Sequence, residues 1–188
     1  MAVPNTFSGN TVIKSADVNA NFTHLTDLID DDSVDSTLGD LKKEIVANSV
    51  QPRVSLSKSS TGSVTSGVVT AVTFDIETFD IGDMWDVGNA TRITFPNDGR
   101  YIVGMRIEWP SDANGFRYMR VLLNGATQIW ESTTMPPNGD LCRHSGHFLT
   151  NRNSGDYIEW YVYQNSGSSL TPTAGVNDLY MYAQKLIG

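Results

Sequence analysis

The chain has 188 residues, enough for one well-cored domain with an extension and too few for two full domains. A hydrophobic share of 39% with 10% aromatics belongs to a folded chain rather than a disordered one. The formal net charge of −8 comes without any basic stripe, which argues against a surface that displaces counterions from nucleic acid.

The charge divides unevenly. Residues 1–50 hold three lysines against eight acids, a net of −5, and leave −3 for the remainder. All four Trp and seven Tyr follow residue 50, so a boundary falls near there. The first turn-rich stretch runs to Ser15, a good N-cap with Asp17 in the first turn. From there Val18, Phe22, Leu25 and Ile29 are spaced 4, 3, 4, which predicts a narrow apolar seam on one helix. Asp30-Asp31-Asp32-Ser33 interrupts it, and the seam resumes out of register at Leu38, Leu41 and Ile45, before Asn48 and Pro52 end it. Short helices with only a seam are marginal alone, so a self-associating stalk is expected. The acidic run lacks the Gly and distal Glu of an EF-hand loop and reads as a solvated linker. The expected organisation is therefore an extension over 1–14, a helical stalk over 15–51 and a head over 52–188.

Beyond Pro52 the chain changes to short alternating runs between Gly, Asn, Asp, Ser and Pro, the pattern of a mainly β sandwich or barrel. Strands are predicted over 54–57, 68–74, 91–95, 100–109, 117–123, 127–132, 144–150, 157–164 and 179–186. Asn97-Asp98-Gly99 and Asn124-Gly125 are the clearest turns, because each supplies residues that tolerate positive φ. Tyr101, Val103, Met105, Ile107 and Trp109 share one face of their strand, as do Met119, Val121 and Leu123, and the two faces are expected to meet in one core. In 157–164 the residues Ile158, Trp160 and Val162 alternate with Tyr157, Glu159, Tyr161 and Tyr163. A second face with three tyrosines predicts a cover, most simply another copy of the chain.

Ile93-Thr94-Phe95-Pro96-Asn97-Asp98-Gly99-Arg100-Tyr101-Ile102-Val103, Arg120-Val121-Leu122-Leu123-Asn124-Gly125 and Gly155-Asp156-Tyr157-Ile158-Glu159-Trp160-Tyr161-Val162-Tyr163-Gln164 resemble, in that order, the C1q/TNF-like jelly roll. The resemblance covers roughly 60–188. It implies a jelly-roll β-sandwich of ten strands that forms a homotrimer, with Tyr161, Tyr163, Tyr180 and Tyr182 as candidates for the subunit interface. The stretch Phe7-Ser8-Gly9-Asn10-Thr11-Val12-Ile13-Lys14-Ser15-Ala16-Asp17-Val18-Asn19-Ala20-Asn21-Phe22 resembles the opening of bacteriophage tail-fibre, spike and head-fibre proteins. That implies a virion protein with an α-helical trimeric stalk, docked on capsid or tail proteins through its N-terminus. Its head would face outward to a host glycan or surface protein. A capsid decoration protein bound to the major capsid protein and a soluble C1q-like recognition module are the alternatives.

Signals for chemistry are weak. Gly-x-Ser-x-Gly and His-Glu-x-x-His are absent, and Met105-Arg106 stands where a P-loop started by Gly99 needs Lys-Ser/Thr. With Cys142 alone there is neither an intrachain disulfide nor a cysteine-based zinc site. On a strand Cys142 and His144 face one way and His147 the other, so one chain does not aim all three at a metal. The acid pairs Asp75/Glu77 and Asp80/Asp83 have the residue type for glycoside cleavage, but solvated loop acids are the simpler reading. No enzyme, cofactor or metal is expected. Exposed aromatics beside Asp and Asn suit sugar stacking, which makes Trp85, Trp109, Asp112, Asn114 and Phe116 the candidate receptor loops. No run of about 18 apolar residues spans a membrane. The start Met1-Ala2-Val3-Pro4-Asn5-Thr6 lacks the basic and apolar regions of a secretory signal, so the protein is expected to be made and kept in a cytosol or to leave it by another route. The fibre resemblance implies synthesis in a host cytoplasm and residence on a virion surface.

Overall fold

The computed structural model describes residues 51–136 and 140–186. The extension over 1–14 and the stalk over 15–50, with Val18, Phe22, Leu25, Ile29, Leu38, Leu41 and Ile45, lie outside the described residues. Ten strands follow in order: β1 (Arg53–Ser57), β2 (Thr70–Ala71), β3 (Ile76–Ile81), β4 (Arg92–Thr94), β5 (Gly99–Trp109), β6 (Arg117–Leu123), β7 (Thr127–Thr134), β8 (Cys142–Arg152), β9 (Tyr157–Gln164) and β10 (Leu179–Lys185). A 3₁₀ turn at Val87–Asn89 is started by Asp86, whose side chain accepts from the Gly88 N–H. No α-helix occurs among the described residues.

The strands form two antiparallel sheets. Sheet 1 runs β3-β1-β10-β5-β8; sheet 2 runs β2-β9-β6-β7, with β4 also pairing β9. The order mixes early and late strands in each sheet, which is what wraps the chain into a sandwich. Inward from sheet 1 point Val54, Leu56, Tyr101, Val103, Met105, Ile107, Trp109, Leu179, Met181 and Ala183, all buried. Sheet 2 answers with Ile93, Met119, Val121, Ile158, Trp160 and Val162, so the two faces read from the sequence do meet in one core. Trp160 stacks on Phe74 with ring centroids 6.2 Å apart. Truncating Trp160 to Ala removes its packing and leaves a cavity, at a cost of about 3–5 kcal/mol.

Both expected turns are present. Asn124 and Gly125 adopt φ of 51° and 71° in the three-residue connection between β6 and β7, a tight turn closed by the Ala126 N–H donating to the Leu123 carbonyl at 3.1 Å. Tyr101 Oη donates to the Asn97 carbonyl at 2.8 Å and pins the turn that opens β5.

Two strand assignments change. The expected strand over 68–74 shrinks to Thr70–Ala71, and an unexpected edge strand forms at Ile76–Ile81. The acids Glu77 and Asp80 disguise β3 as a loop, but at a sheet edge an exposed charged side chain is compatible with pairing and discourages strand addition.

Candidate interaction surfaces

The four tyrosines divide between opposite outer faces of the sandwich. Tyr161 and Tyr163 stand on β9 in sheet 2, and Tyr180 and Tyr182 on β10 in sheet 1. They do not make one patch.

The outer face of sheet 2 is dressed by its own neighbours. Tyr163 lies directly opposite Tyr118, and the rings stack at 4.8 Å, with Phe116 a further ring at 5.6 Å from Tyr163. Tyr161 lies opposite Arg120, whose guanidinium sits 5.6 Å from the ring centroid. Glu159 accepts from Thr91 Oγ1 at 2.9 Å, Arg92 Nε at 3.3 Å and Tyr161 Oη at 3.3 Å. Partial burial, then Glu159, pushes the Tyr161 hydroxyl pKa up. Cross-strand pairs with β6 pack the aromatic side chains of this face against one another.

Sheet 1 is different. One rung crosses all five strands: Phe79 opposite Ser55, Ser55 opposite Tyr182, Tyr182 opposite Gly104, and Gly104 opposite His147. Gly104 leaves room for the Tyr182 ring, which lies across the bare backbone where a Cβ would meet it. On the neighbouring rungs Ile102 lies opposite Gln184 and Leu149, and Tyr180 opposite Arg106. Phe79 and Leu149 are 44% and 61% exposed, and Tyr180 stacks on Tyr182 at 6.5 Å. A cavity of about 330 Å³ opens between Phe79, Val176, Asn177, Tyr180, Tyr182 and Arg53. The result is a broad face on which aromatic, aliphatic and small residues are interspersed with Arg53, Arg106, His147 and Gln184.

The candidate receptor loops are more tightly built than the sequence suggests. Trp109 is fully buried and belongs to the core, which removes it as a ligand contact. It shares the inward face of β5 with Tyr101 through Ile107. Trp85 is half-buried against the core, and its backbone N–H donates to Asp80 Oδ2 at 2.8 Å. Arg117, fully buried, holds the loop of Asp112, Asn114 and Phe116 from beneath: it donates to the carbonyls of Asn114 at 2.9 Å, Phe116 at 3.2 Å and Asp112 at 3.2 Å. Burial lowers the Arg117 pKa, opposed by the Asp112 carboxylate 4.0 Å away. Asn114 remains exposed and Asp112 half-exposed.

The carboxylate pairs are structural staples. Asp75 accepts from the Ser59 hydroxyl and N–H, both at 2.7 Å, and Asp80 accepts from the Met84 and Trp85 N–H groups. The Ser59 hydroxyl, then its N–H, lowers the Asp75 pKa. A lowered Asp75 is the opposite of what a general acid needs. Cys142 and His144 point into the core while His147 is exposed on the opposite side, as strand parity requires. Burial raises the Cys142 thiol pKa, which keeps it protonated and unreactive. Among the described residues no three His, Cys, Asp or Glu side chains gather as metal ligands.

Taken together, these sheets make a jelly-roll β-sandwich. Solved structures carry the same fold: murine APRIL at pH 5.0 matches with a TM-score of 0.58 and 13% identity, over 72% of this chain and 99% of that one. Murine APRIL at pH 8.0 gives a TM-score of 0.58 and 12% identity over the same shares. The globular domain of zebrafish complement 1qA protein matches with a TM-score of 0.50 and 14% identity, over 73% of this chain and 98% of that one. No family model matches the sequence, and no curated protein sequence matches it.

Proposed function

We propose that the domain is the head of a homotrimeric recognition protein whose subunits associate through the outer face of sheet 1. The observation that carries this reading is the five-strand rung from Phe79 to His147, with Tyr182 lying over Gly104. A face with exposed Phe79, Leu149 and Val176 around two stacked tyrosines has the composition of an interface core, and three copies would remove it from water. The trimeric habit implied by the C1q/TNF-like resemblance supports the count of three. Tyr180 and Tyr182 are then the interface tyrosines, and Tyr161 and Tyr163 stay on the outside.

Within that reading the protein is a bacteriophage fibre or spike, anchored on the particle through its N-terminus. Asn114 and Asp112 remain accessible for a host glycan or surface protein, and three heads per trimer add avidity. Support for the virion comes from the N-terminal resemblance over residues 7–22. The small size of the head favours a second reading, a decoration protein or head fibre on the capsid. Removing residues 1–31 is the test. The truncated protein should remain a trimer and be lost from particles; a truncated protein still found on particles contradicts the anchoring role.

A further inference from the structure

At one end of the sandwich, where the chain enters β1 and leaves β10, lies a cleft of about 620 Å³. Its wall is formed by Asp98, Arg100, Asn151, Arg152, Asn153 and Lys185. Arg152 and Lys185 flank Gly99 on the inward-facing side of sheet 1 and Arg100 lines the rim from the outer side, a concentration of cations in a head that is acidic as a whole. Gly99 makes this arrangement possible. It pairs with Arg152 across β5 and β8, and a Cβ on it would lie 2.7 Å from Lys185 Cε, so the lysine stem runs over a position that must stay bare.

Two acids lie nearby: Asp98 in the cleft wall, and Asp156, whose pKa is lowered first by the Asn124 side chain and also by the Arg152 charge. Asp98 Oδ1 accepts from the Ser154 N–H at 2.6 Å, and Asp156 accepts from Asn124 Nδ2 and the Asn153 N–H, each at 3.0 Å. Among the described residues the side-chain ion pairs are Arg92–Glu159, Arg117–Asp112 and Arg143–Glu108, and none involves Arg100, Arg152 or Lys185. Arg152 Nε is shielded from solvent with no hydrogen-bond acceptor. Only the terminal N–H groups of the Arg152 guanidinium are then open to an anion in the cleft.

We infer that Arg100, Arg152 and Lys185 form a binding cleft for a tetrahedral oxyanion, a phosphate or sulfate group. Two guanidinium forks and one ammonium suit three outward oxygens, and the Asn151 and Asn153 amides offer further donors. Arg152 and Lys185 have the inward parity of their strands, whereas Arg100 and Asn151 stand on the outer face of sheet 1 beyond Ile102 and Leu149, so the cleft borders the edge of the trimer face. The anion comes either free from solution or as an ester on a polysaccharide.

Calorimetric titration of the full chain at low salt decides it, with inorganic phosphate, inorganic sulfate, dextran sulfate and neutral dextran as probes. Binding of an inorganic anion that falls by about tenfold or more in Arg152→Gln/Lys185→Gln supports a site for the free ion. Binding of dextran sulfate alone, with the same loss, supports the polymer-borne ester. Arg92→Gln, a cation on sheet 2 paired with Glu159, should leave either affinity unchanged. Amide NMR shifts on titration should fall at Gly99, Arg100 and Arg152. No binding by any charged probe, or equal binding by the double variant with its fold retained by circular dichroism, overturns the inference.

Discussion

His144 offers a quantitative test of the core. It is 5% exposed on the inward face of β8, opposite Ile107, and its Nε2 lies 3.0 Å from Ser132 Oγ while Nδ1 has no partner. Protonation would place a charge in an apolar wall with one N–H unsatisfied. Burial therefore pulls its pKa from 6.5 down to about 4. Because the folded pKa lies below the unfolded one, the stability held by neutral His144 is complete above pH 6.5 and is lost as pH falls towards 4. In that window the unfolded chain binds one proton more than the folded chain, so stability changes by about 1.4 kcal/mol per pH unit. Over the whole interval the loss is about 3 kcal/mol. Urea unfolding followed by Trp fluorescence at fixed protein concentration, from pH 7.5 to 4, measures it for the wild type and for His144→Gln. The glutamine keeps a hydrogen-bonding group near Ser132 and does not titrate. The difference between the two proteins should slope through this window and flatten above pH 6.5. Parallel curves would refute the buried neutral imidazole. The lowered carboxyls of Asp75 and Asp156 act in a different range, since what they stabilise is lost only as pH falls below the ordinary carboxylate value of 3.8.

Tyr182→Ser should weaken assembly at least about tenfold while leaving the monomer folded, whereas Tyr161→Ser, on the self-dressed face, should leave the association constant unchanged; analytical ultracentrifugation of both separates the faces. Gly104→Val should also block assembly, because its side chain displaces the Tyr182 ring that lies over Gly104. Arg117→Leu should release the loop from Asp112 to Phe116 and cost roughly 2 kcal/mol or more through three abandoned carbonyls, seen as faster amide exchange at Asn114 and Phe116 and a lower urea midpoint.

Period-two alternation made the core legible in advance. It put Tyr101 through Trp109 on one side of β5, Ile158, Trp160 and Val162 on one side of β9, and both groups are buried. The same parity places Arg117 with Met119 and Val121, which is the signal that this arginine is inside; its charge masks it. What the alternation cannot give is which sheet a strand joins. Tyr161 and Tyr182 look equivalent in sequence, yet register gives one Arg120 as its partner and the other a glycine. The cleft of Arg100, Arg152 and Lys185 was hidden for a similar reason. Its residues are scattered over 86 positions, and only the pairing of β5 with β8 and β10 brings them to one end. The edge strand β3 escaped because its acids are tolerated only at an edge, and edge position is a property of the whole sheet.

The most direct test of trimerisation through sheet 1 is the solution mass of the protein by light scattering, measured on the intact chain and on residues 52–188. Three times the chain mass in both is the predicted result, since the face from Phe79 to His147 belongs to the head. A monomeric head, whatever the intact chain does, would contradict it.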